Sequence, residues 1–585
     1  MNLFPRRLSS CFVFGVLVAV RVHAHPETMS GADLALADAS RKNETAAPAP
    51  ANSCVLHLRL EDATSHQPVG GMVRVTSLQD GAVPLALAGL FERPAGWFST
   101  SSTAEINLPP GRFQVEATRG TDTLVARQVV ECLAGTPRNV VLTLTRFYHP
   151  EARHVYSGNT HLHLLLHSGP KVGVELQDRR DTDDYLRTVG ASDGLDLVYV
   201  SYLTAPGAKI ISNEYTEEDL QGLSKGPTLF ANGVEHRHGG VRVKVAPMER
   251  DGSVKRTKAY PLDSSVVSMT YGHVLLLDLA KRSMLASVGP GLSDNSRATD
   301  GVPLRDGIND ARRQGGAVIW CHGSMGLEDI PDWIAGLIEA QNIYDGGSEG
   351  TFDTVYYPYL NAGLKVPFST GTDWGITDFS RVYVPALSGF SSKIFLQQLT
   401  AGRSYITNEP FLEFEVGGSS SGDTLALAQP GTVHVRGRAF GRSDFTRLQV
   451  VSNGKVVHEV ASRTVDGHYE AAVDLDLPVG ESGWLALRIP PDRPYEYRSK
   501  YSGPGTNIFG KAIFAHTSPV YVSVAGQLVF NRSAVELLLT RLQDALKQID
   551  KTGRFANEAE RSGIRRIYTD AAASLQATLD ARGRH

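Results

Sequence analysis

Three histidines lie close together in the segment SGNTHLHLLLHSG, which covers residues 157–169. Alternate side chains of a β-strand share a face, so His161 and His163 would point the same way, while the leucines beside them pack on the other face. Two imidazoles on one face of a strand can bind one metal ion. A lone histidine on an apolar strand is usually a core residue, but this His-x-His pair favours a metal site.

Further side chains that bind metals follow at the edges of short apolar runs. The segments are NGVEHRHGG with Glu235, TYGHVLLLDL with His273, AVIWCHGS with His322 and STGTDWGI with Asp373. Histidine and carboxylate ligands without a thiolate cluster suit zinc, manganese or iron better than a structural cysteine-type zinc site. Each residue alone is compatible with a structural role, but as a set they indicate a metal site.

These residues lie in a region, about 148–385, where short apolar strands alternate with helical stretches. Alternating β and α elements predict a mainly parallel sheet or barrel. In such folds functional side chains gather at the carboxyl ends of the strands, which is where His322 and Asp373 fall. The positions of the candidate ligands therefore agree with the predicted architecture.

Residues 53–147 are predicted to form an N-terminal β-sandwich, because alternating strands such as CVLHLRLED are separated by Gly and Pro turns. Cys54 and Cys132 lie near the two ends of this domain. We interpret them as a disulfide pair, with two buried free thiols as the alternative. Such a bridge would stabilise the domain by about 4 kcal/mol through loop-closure entropy.

Residues 386–528 are predicted to form a C-terminal β-domain, and residues 529–585 a helical tail. The Asn-Gly pair at 453–454 predicts a two-residue hairpin turn in the β-domain. In the tail, Ser533 and Glu536 have the spacing of a capping box at the start of a helix.

The first 24 residues have the pattern of a secretory signal peptide, with two arginines, an apolar stretch and the cleavage-site-like sequence Val22-His23-Ala24. The apolar stretch is too short to span a membrane. We therefore expect a periplasmic or secreted protein cut after Ala24, and a retained N-terminal anchor is the alternative. Residues 25–52 are predicted to be a disordered linker. Copper binding by a mature N-terminal His25 is a further hypothesis.

The length of 585 residues predicts three or four domains. The formal net charge of -4 gives no electrostatic reason to expect nucleic acid or an anionic membrane as a partner. The expected partner is a small molecule, and the sequence does not indicate an oligomeric state.

The motifs GNTHLH, ANGVEHRHGG, GHVLLLD, GGAVIWCHG and GLKVPFSTGTDWG…RVYVP together resemble the motif series of the PHP (polymerase and histidinol phosphatase) superfamily. Within it, the chain is most similar to the exported CehA/McbA-like metallohydrolases. The resemblance covers most of the chain from about residue 148 onward. It implies a multidomain fold in which a distorted α/β barrel of the (β/α)7 type is flanked by N-terminal and C-terminal β-sandwich-like domains and followed by the helical tail.

The resemblance also implies a role for each candidate ligand. It assigns His161 and His163 as the first ligand pair and Glu235 as a ligating or bridging carboxylate. His273 and His322 follow as later histidine ligands, and Asp373 is the final carboxylate.

Other polar residues near these motifs receive weaker assignments. Cys321 and His322 are adjacent, so only one of them can face the barrel mouth in a regular strand. The resemblance selects His322 and leaves Cys321 as a small buried hydrophobe. His236 and His238 would lie on the face opposite Glu235 and are interpreted as residues beside the site or at the surface. His167 is interpreted as a solvated loop residue, with an accessory ligand as the alternative.

Three positions depart from the superfamily pattern. Asn159 stands where an aspartate usually precedes the first histidine. The strand GLDLVYVSYL carries Ser201 and Tyr202 where the pattern has Asp-His, and Asp373 lacks the usual histidine two positions later. One or two metal ions are therefore expected in place of three.

The chemistry expected of such a site is ester hydrolysis, because a metal ion with an open position supplies hydroxide near neutral pH and polarises a carbonyl or phosphoryl oxygen. We therefore predict an exported metal-dependent hydrolase of a small-molecule phosphoester, or of a carboxyl or carbamate ester. Asp373 or Glu235 is expected to accept the proton of the water. Arg381 is expected to stabilise the developing negative charge, with a surface ion pair as its alternative role.

A second hypothesis belongs to a different functional class. The missing motif positions are compatible with a catalytically decayed PHP-like protein that acts as a periplasmic binding module.

For a hydrolase, Tyr202 and Trp374 at strand ends would suit a substrate with an aromatic or apolar leaving group. The alternative is that both residues belong to the core.

Overall fold

The computed structural model describes residues 52–79, 85–168, 179–205, 210–212, 215–239, 242–244, 266–268, 270–281, 287–290, 298–323, 326–345, 350–495 and 501–582. The predicted signal peptide (1–24), and the predicted linker apart from its last residue, lie outside these ranges. Among the helices within them, none is long and apolar enough to cross a bilayer.

The N-terminal domain is built from two sheets that enclose one apolar core. Its strands are β1 Cys54–Asp62, β2 Gly71–Ser77, β3 Phe91–Arg93, β4 Trp97–Thr100, β5 Thr103–Leu108, β6 Gly111–Thr118, β7 Ala126–Cys132 and β8 Arg138–Leu144. The sheet orders are β5-β1-β8 and β3-β4-β2-β6-β7. Leu56, Leu58 and Leu60 are buried while the side chains between them face outward, which confirms the predicted alternation.

The central region contains most of the candidate site. Its strands are β9 Val155–His163, β10 Leu165–Ser168, β11 Leu197–Ala205, β12 Ile210–Ser212, β13 Leu229–His238, β14 Arg242–Lys244, β15 Val266–Ser268, β16 Gly272–Leu277, β17 Ser287–Val288, β18 Ala317–Cys321, β19 Ala340–Asn342, β20 Phe368–Ser369, β21 Asp373–Trp374, β22 Arg381–Pro385 and β23 Tyr405–Thr407. Its helices are α1 Arg179–Ser192, α2 Glu217–Leu223, α3 Arg305–Arg313, α4 Asp329–Ile334, α5 Phe352–Val355, α6 Tyr357–Asn361 and α7 Ser392–Thr400.

The strands β9, β11, β13, β16, β18, β19 and β20 form one curled sheet in that order. Thr160 of β9 donates to the carbonyl of Thr370, just after β20, at 2.8 Å, so the first strand of the sheet returns to the segment that follows its last strand. The curl turns alternate side chains of several strands toward one interior. Residues far apart in the sequence thereby share that interior.

The curled sheet is mainly parallel, as predicted, with one exception: β16 runs antiparallel to both β13 and β18. The other neighbouring pairs of the curled sheet are parallel. All six residues of β16 are buried. A fully buried strand reads as a continuous apolar run in either direction, so its sequence does not reveal its orientation.

The C-terminal β-domain continues directly from the central sheet through the pairing of β23 with β32. Its strands are β24 Phe411–Val416, β25 Thr424–Leu427, β26 Gly431–Gly441, β27 Arg447–Ser452, β28 Lys455–Ala461, β29 Arg463–Val465, β30 His468–Val479, β31 Gly483–Ile489, β32 Ala515–Thr517 and β33 Val520–Val524. A separate sheet, β24-β26-β30-β29, covers the other side of the domain core. The predicted Asn453-Gly454 hairpin is confirmed between β27 and β28, with both residues at positive φ.

The helical tail is a pair of helices, α8 Arg532–Thr552 and α9 Glu558–Arg582. The predicted capping box is wrong, because the residue that caps α8 is Asn531, whose side chain accepts from the backbone N–H of Ala534 at 3.0 Å. Leu538 and Leu542 of α8 pack in the same hydrophobic core as the central sheet. The tail is therefore part of the central core and does not form a separate appendage.

Candidate metal centre

The six predicted ligands meet inside the curled sheet. His161 and His163 come from β9, Glu235 from β13, His273 from β16, His322 from the residue after β18, and Asp373 from β21. His273 is 7% exposed and the other five are fully buried. The strand register brings them together, because Asp373 lies opposite Leu162 on β9, and His273 lies opposite both Arg237 and Cys321.

His161 and His163 face each other through their Nε2 atoms, which are 2.9 Å apart. The Nδ1 atom of His163 donates to the carbonyl of Ser201 at 2.8 Å, and the Nδ1 atom of His161 contacts Asp345 Oδ2 at 2.7 Å. A neutral imidazole whose Nδ1 carries the proton has its lone pair on Nε2. Two such lone pairs at this separation need a cation, either a proton or a metal ion, between or beside them.

Asp373 places a carboxyl group next to this pair. Its Oδ1 atom lies 3.5 Å from His161 Nε2 and 3.7 Å from His163 Nε2. Within the described residues, neither of its carboxylate oxygens has a hydrogen-bond partner. A buried carboxylate without donors is costly unless a cation neutralises it. The group His161, His163 and Asp373 therefore fits a metal ion, and their ligand atoms lie within 4.8 Å of one another.

Glu235 connects this group with a second one. Its Oε2 atom lies 2.9 Å from His163 Nε2. Its Oε1 atom lies 3.0 Å from His273 Nδ1 and 3.4 Å from His322 Nε2. Glu235, His273 and His322 form another set whose ligand atoms are mutually within 4.8 Å. One carboxylate thus presents one oxygen to each of two groups of imidazoles.

Burial and neighbouring charges shift the pKa values of the ligands in different directions. Burial lowers the pKa of His163 to about 4 and also lowers the pKa of His273, so both rings are held neutral. Burial raises the pKa of Asp373 to about 8. Burial opposes the charged form of His161 as well, but the charges of Asp345 and Asp373 outweigh it and raise the pKa of this ring. The centre gathers charges that a cation would balance.

Asp345 is a member of the centre that the sequence interpretation missed. It is fully buried in the loop after β19, and its Oδ2 atom contacts His161 and accepts from Asn342 Nδ2 at 2.8 Å. The signal available in the sequence is an acid shortly after a strand, in QNIYDGG, which is also the position type of Asp373. Cys321 also belongs to a group of possible ligand atoms, with His161, His322 and Asp345, and so lies nearer the centre than its interpretation as a plain core residue implied.

The positions that depart from the superfamily pattern have structural roles. Asn159 Oδ1 accepts from the backbone N–H of His161 at 3.1 Å, and its Nδ2 donates to Thr372 Oγ1 at 2.7 Å. Ser201 contributes its carbonyl to His163, so a backbone oxygen of that strand reaches the centre. The ring of Trp374 packs against His163 with centroids 4.9 Å apart.

Arg381 is not brought to the six ligands. It is buried, and it donates to the carbonyls of Phe379 at 2.9 Å and Asp193 at 2.9 Å. These contacts bind the central region near its junction with the N-terminal domain, where Arg93 and Asp193 form a buried ion pair at 2.6 Å. The two roles considered for Arg381, charge stabilisation and a surface ion pair, both differ from what its contacts show.

The remaining predictions concern four other histidines. His236 and His238 alternate with Glu235 as predicted, but both are buried, so a surface position is wrong for them. His238 Nε2 lies 3.2 Å from Asp300 Oδ1 and its ring stacks on Tyr271. The side chain of His167 and the whole of His25 lie outside the described residues.

The chain matches none of the protein-family models and none of the curated protein sequences with which it was compared. The assignment of a metal centre therefore rests on buried ligand groups and their geometry.

Proposed function

We propose that this protein is a metal-dependent hydrolase of the PHP type that cleaves an ester bond in a small molecule, either a phosphoester or a carboxyl or carbamate ester. The observation that carries the proposal is the pair of facing Nε2 atoms of His161 and His163 beside the carboxylate of Asp373, which accepts no hydrogen bond from any described residue. Buried groups of this kind, placed to bind a cation, are typical of catalytic centres.

The two ligand groups would hold two divalent ions, zinc, manganese or iron. His161, His163 and Asp373 would hold one ion, His273 and His322 the other, and Glu235 would contact both. When bound, such ions supply a nucleophile derived from water and polarise the ester oxygen. We further propose that the seven strands of the curled sheet form a distorted (β/α)7 barrel, and that the protein is exported.

The chain's own residues orient and protect this chemistry. Ser201 directs the His163 lone pair inward by accepting from its Nδ1, and Trp374 covers the same ring. Glu235 and Asp373 are the carboxylates that can accept the proton of the attacking water, because ionised carboxylates are acceptors only. Since the ligands are buried, bulk water is kept from the reacting atoms.

The experiment that tests the proposal compares metal content and hydrolysis in the same preparations. The full-length protein is purified, its metal is counted by plasma mass spectrometry, and it is assayed with an aryl phosphate, an aryl carboxyl ester and an aryl carbamate. We expect bound divalent metal and hydrolysis of at least one class. Glu235→Gln should lose this hydrolysis, while His57→Ala, which removes a histidine 48% exposed at its side chain, should retain it.

Metal-loaded protein that hydrolyses none of the three esters would contradict the proposal and favour the binding-module hypothesis. Hydrolysis that persists in Glu235→Gln would also contradict it, because the activity would then arise outside this centre.

A further inference from the structure

Asp345 lies between two histidines that belong to different ligand groups. Its Oδ2 atom is 2.7 Å from Nδ1 of His161 and 3.5 Å from Nδ1 of His322. The Nε2 atom of His161 faces His163 and Asp373, whereas the Nε2 atom of His322 faces Glu235. One carboxylate therefore contacts the outward nitrogen of a ring in each group.

A third residue contacts the same oxygen of this carboxylate. Asn342, the last residue of β19, donates its Nδ2 to Asp345 Oδ2 at 2.8 Å. The carboxylate and its three neighbours are fully buried. The contact with His322 is long, and a small rotation of either side chain would shorten it, as often happens when a site receives its ligand.

The same residues also allow a second arrangement of ligand atoms, and the two arrangements cannot exist at the same time. His161, Cys321, His322 and Asp345 also form a group whose ligand atoms lie within 4.8 Å. The ring nitrogens near Asp345 are Nδ1 of His161 and Nδ1 of His322, so an ion held beside Asp345 would be bound through these atoms. A neutral imidazole has one lone-pair nitrogen, so both rings would then be withdrawn from the groups that contain Asp373 and Glu235. The nitrogen bound to metal distinguishes the two arrangements.

We propose that Asp345 is a positioning residue that accepts Nδ1–H from both His161 and His322 and so directs both Nε2 lone pairs to the two metal positions. The inference rests on the metal centre of the proposed function. It means that one carboxylate orients a histidine of each metal position, so that loss of Asp345 weakens metal binding at both positions.

The test measures zinc affinity of the full-length, metal-free protein by competition with a chromophoric chelator. We expect Asp345→Asn to bind both zinc ions about 10- to 100-fold more weakly than the unmodified protein, the loss typical when the hydrogen-bond partner of a metal-binding histidine is removed. Asp329→Asn is the matched control, since it makes the same substitution at a buried carboxylate of α4 that contacts Tyr359 and belongs to none of the ligand groups, and it should bind zinc as the unmodified protein does.

Three results would overturn the inference. Asp345→Asn could retain both affinities, Asp329→Asn could lose as much affinity as Asp345→Asn, or the unmodified protein could take up no zinc. Circular dichroism and the melting temperature of each metal-free variant show whether it is folded. Hydrolysis is not needed, so zinc binding as expected without ester cleavage would defeat the proposed function and leave the inference standing.

A measurement on the unmodified protein covers the case in which Asp345→Asn does not fold. In zinc-loaded protein labelled with 15N-histidine, the ring resonances of His161 and His322, assigned from single His→Asn variants, should show protonated Nδ1 and metal-bound Nε2. Metal-bound Nδ1 in both rings would support the exclusive arrangement and overturn the role of Asp345.

Discussion

The Nε2 atoms of His161 and His163 lie 2.9 Å apart at the end of β9, while the Nδ1 atom of each ring contacts an oxygen on its other side. This relationship joins local strand geometry to long-range contacts. The alternation of β9 places both rings on one face. Asp345, in the loop after β19, and Ser201, on β11, determine which nitrogen of each ring is turned inward.

Metal removal should destabilise the protein. Zinc at a free concentration 100-fold above its dissociation constant should stabilise the metal-free protein by about 2.7 kcal/mol per site, because the folded chain alone presents the assembled ligands. Urea unfolding with and without zinc measures the change. His161→Ala should show a smaller increase, and an equal increase in His161→Ala would mean that zinc binds elsewhere.

Glu235→Gln should weaken both metal positions. The substitution preserves the shape of the side chain but removes the charge that lies 2.9 Å from His163 Nε2 and 3.0 Å from His273 Nδ1. We expect a larger fall in zinc affinity than the roughly 10- to 100-fold typical of residues that only orient a ligand. Chelator competition measures it, and a loss confined to one of two positions would show that Glu235 does not contact both ions.

Arg381→Met should lower stability and leave the chemistry of the remaining folded molecules unchanged. The substitution removes the donors to the carbonyls of Phe379 and Asp193, a loss of about 2–4 kcal/mol for a buried charged group. Urea unfolding and kcat/KM are measured together, with the exposed Arg313→Met as control. A fall in kcat/KM of about 100-fold or more at retained stability would indicate an oxyanion donor and contradict this expectation.

The stability of the metal-free protein should fall in acid partly through His516. Its Nε2 accepts from Tyr357 Oη at 2.7 Å, and its Nδ1 donates to the Thr517 carbonyl at 2.8 Å. Burial lowers the pKa of His516 to about 3, whereas an unfolded histidine has a pKa of about 6.5. Between these values the unfolded chain binds the extra proton, so the contribution is complete above pH 6.5 and is lost as the pH falls, by about 1.4 kcal/mol per pH unit.

Urea unfolding at several pH values between these limits measures the slope. His516→Gln should show a shallower loss of stability with acid, and His458→Gln on the exposed strand β28 is the matched control. An identical slope in His516→Gln and the unmodified protein would show that this ring does not carry the effect.

Cys54 and Cys132 should form a disulfide under oxidising conditions. Both are free and buried in the structure, with their Sγ atoms 2.6 Å apart, and they lie on strands of different sheets. A bridge would stabilise the domain by about 4 kcal/mol through loop closure. Thiol titration of the denatured, unreduced protein should detect neither cysteine, while Cys321 remains reactive. Full reactivity of all of them would support the alternative of two free thiols.

Much of the centre followed from short segments of sequence. Strand alternation alone places His161 beside His163 and turns His236 and His238 away from Glu235, because the period of two is a property of the backbone. The Asn453-Gly454 turn is equally local, since the positive φ of both residues is set by the turn type. The meeting of the six ligands was expected from the family resemblance and from their position at strand edges.

Other features depended on contacts between distant residues. Asp345 reaches His161 across 184 positions, and only the curl of the sheet brings them together. Arg381 lies next to the Asp373 loop in the sequence, but its long side chain turns to the carbonyl of Asp193, a direction that no local pattern specifies. The antiparallel direction of β16 also depends on contacts between distant residues, because a buried apolar run fits either orientation.

The amino-acid sequence by itself therefore determined which residue types share a strand face and where turns occur, since both depend on backbone geometry within a few residues. The tertiary structure decided which nitrogen of each imidazole faces the centre and which carboxylates lie against it. Those choices depend on burial and on hydrogen bonds from β11 and the loop after β19, and such partners become neighbours only when the sheet curls.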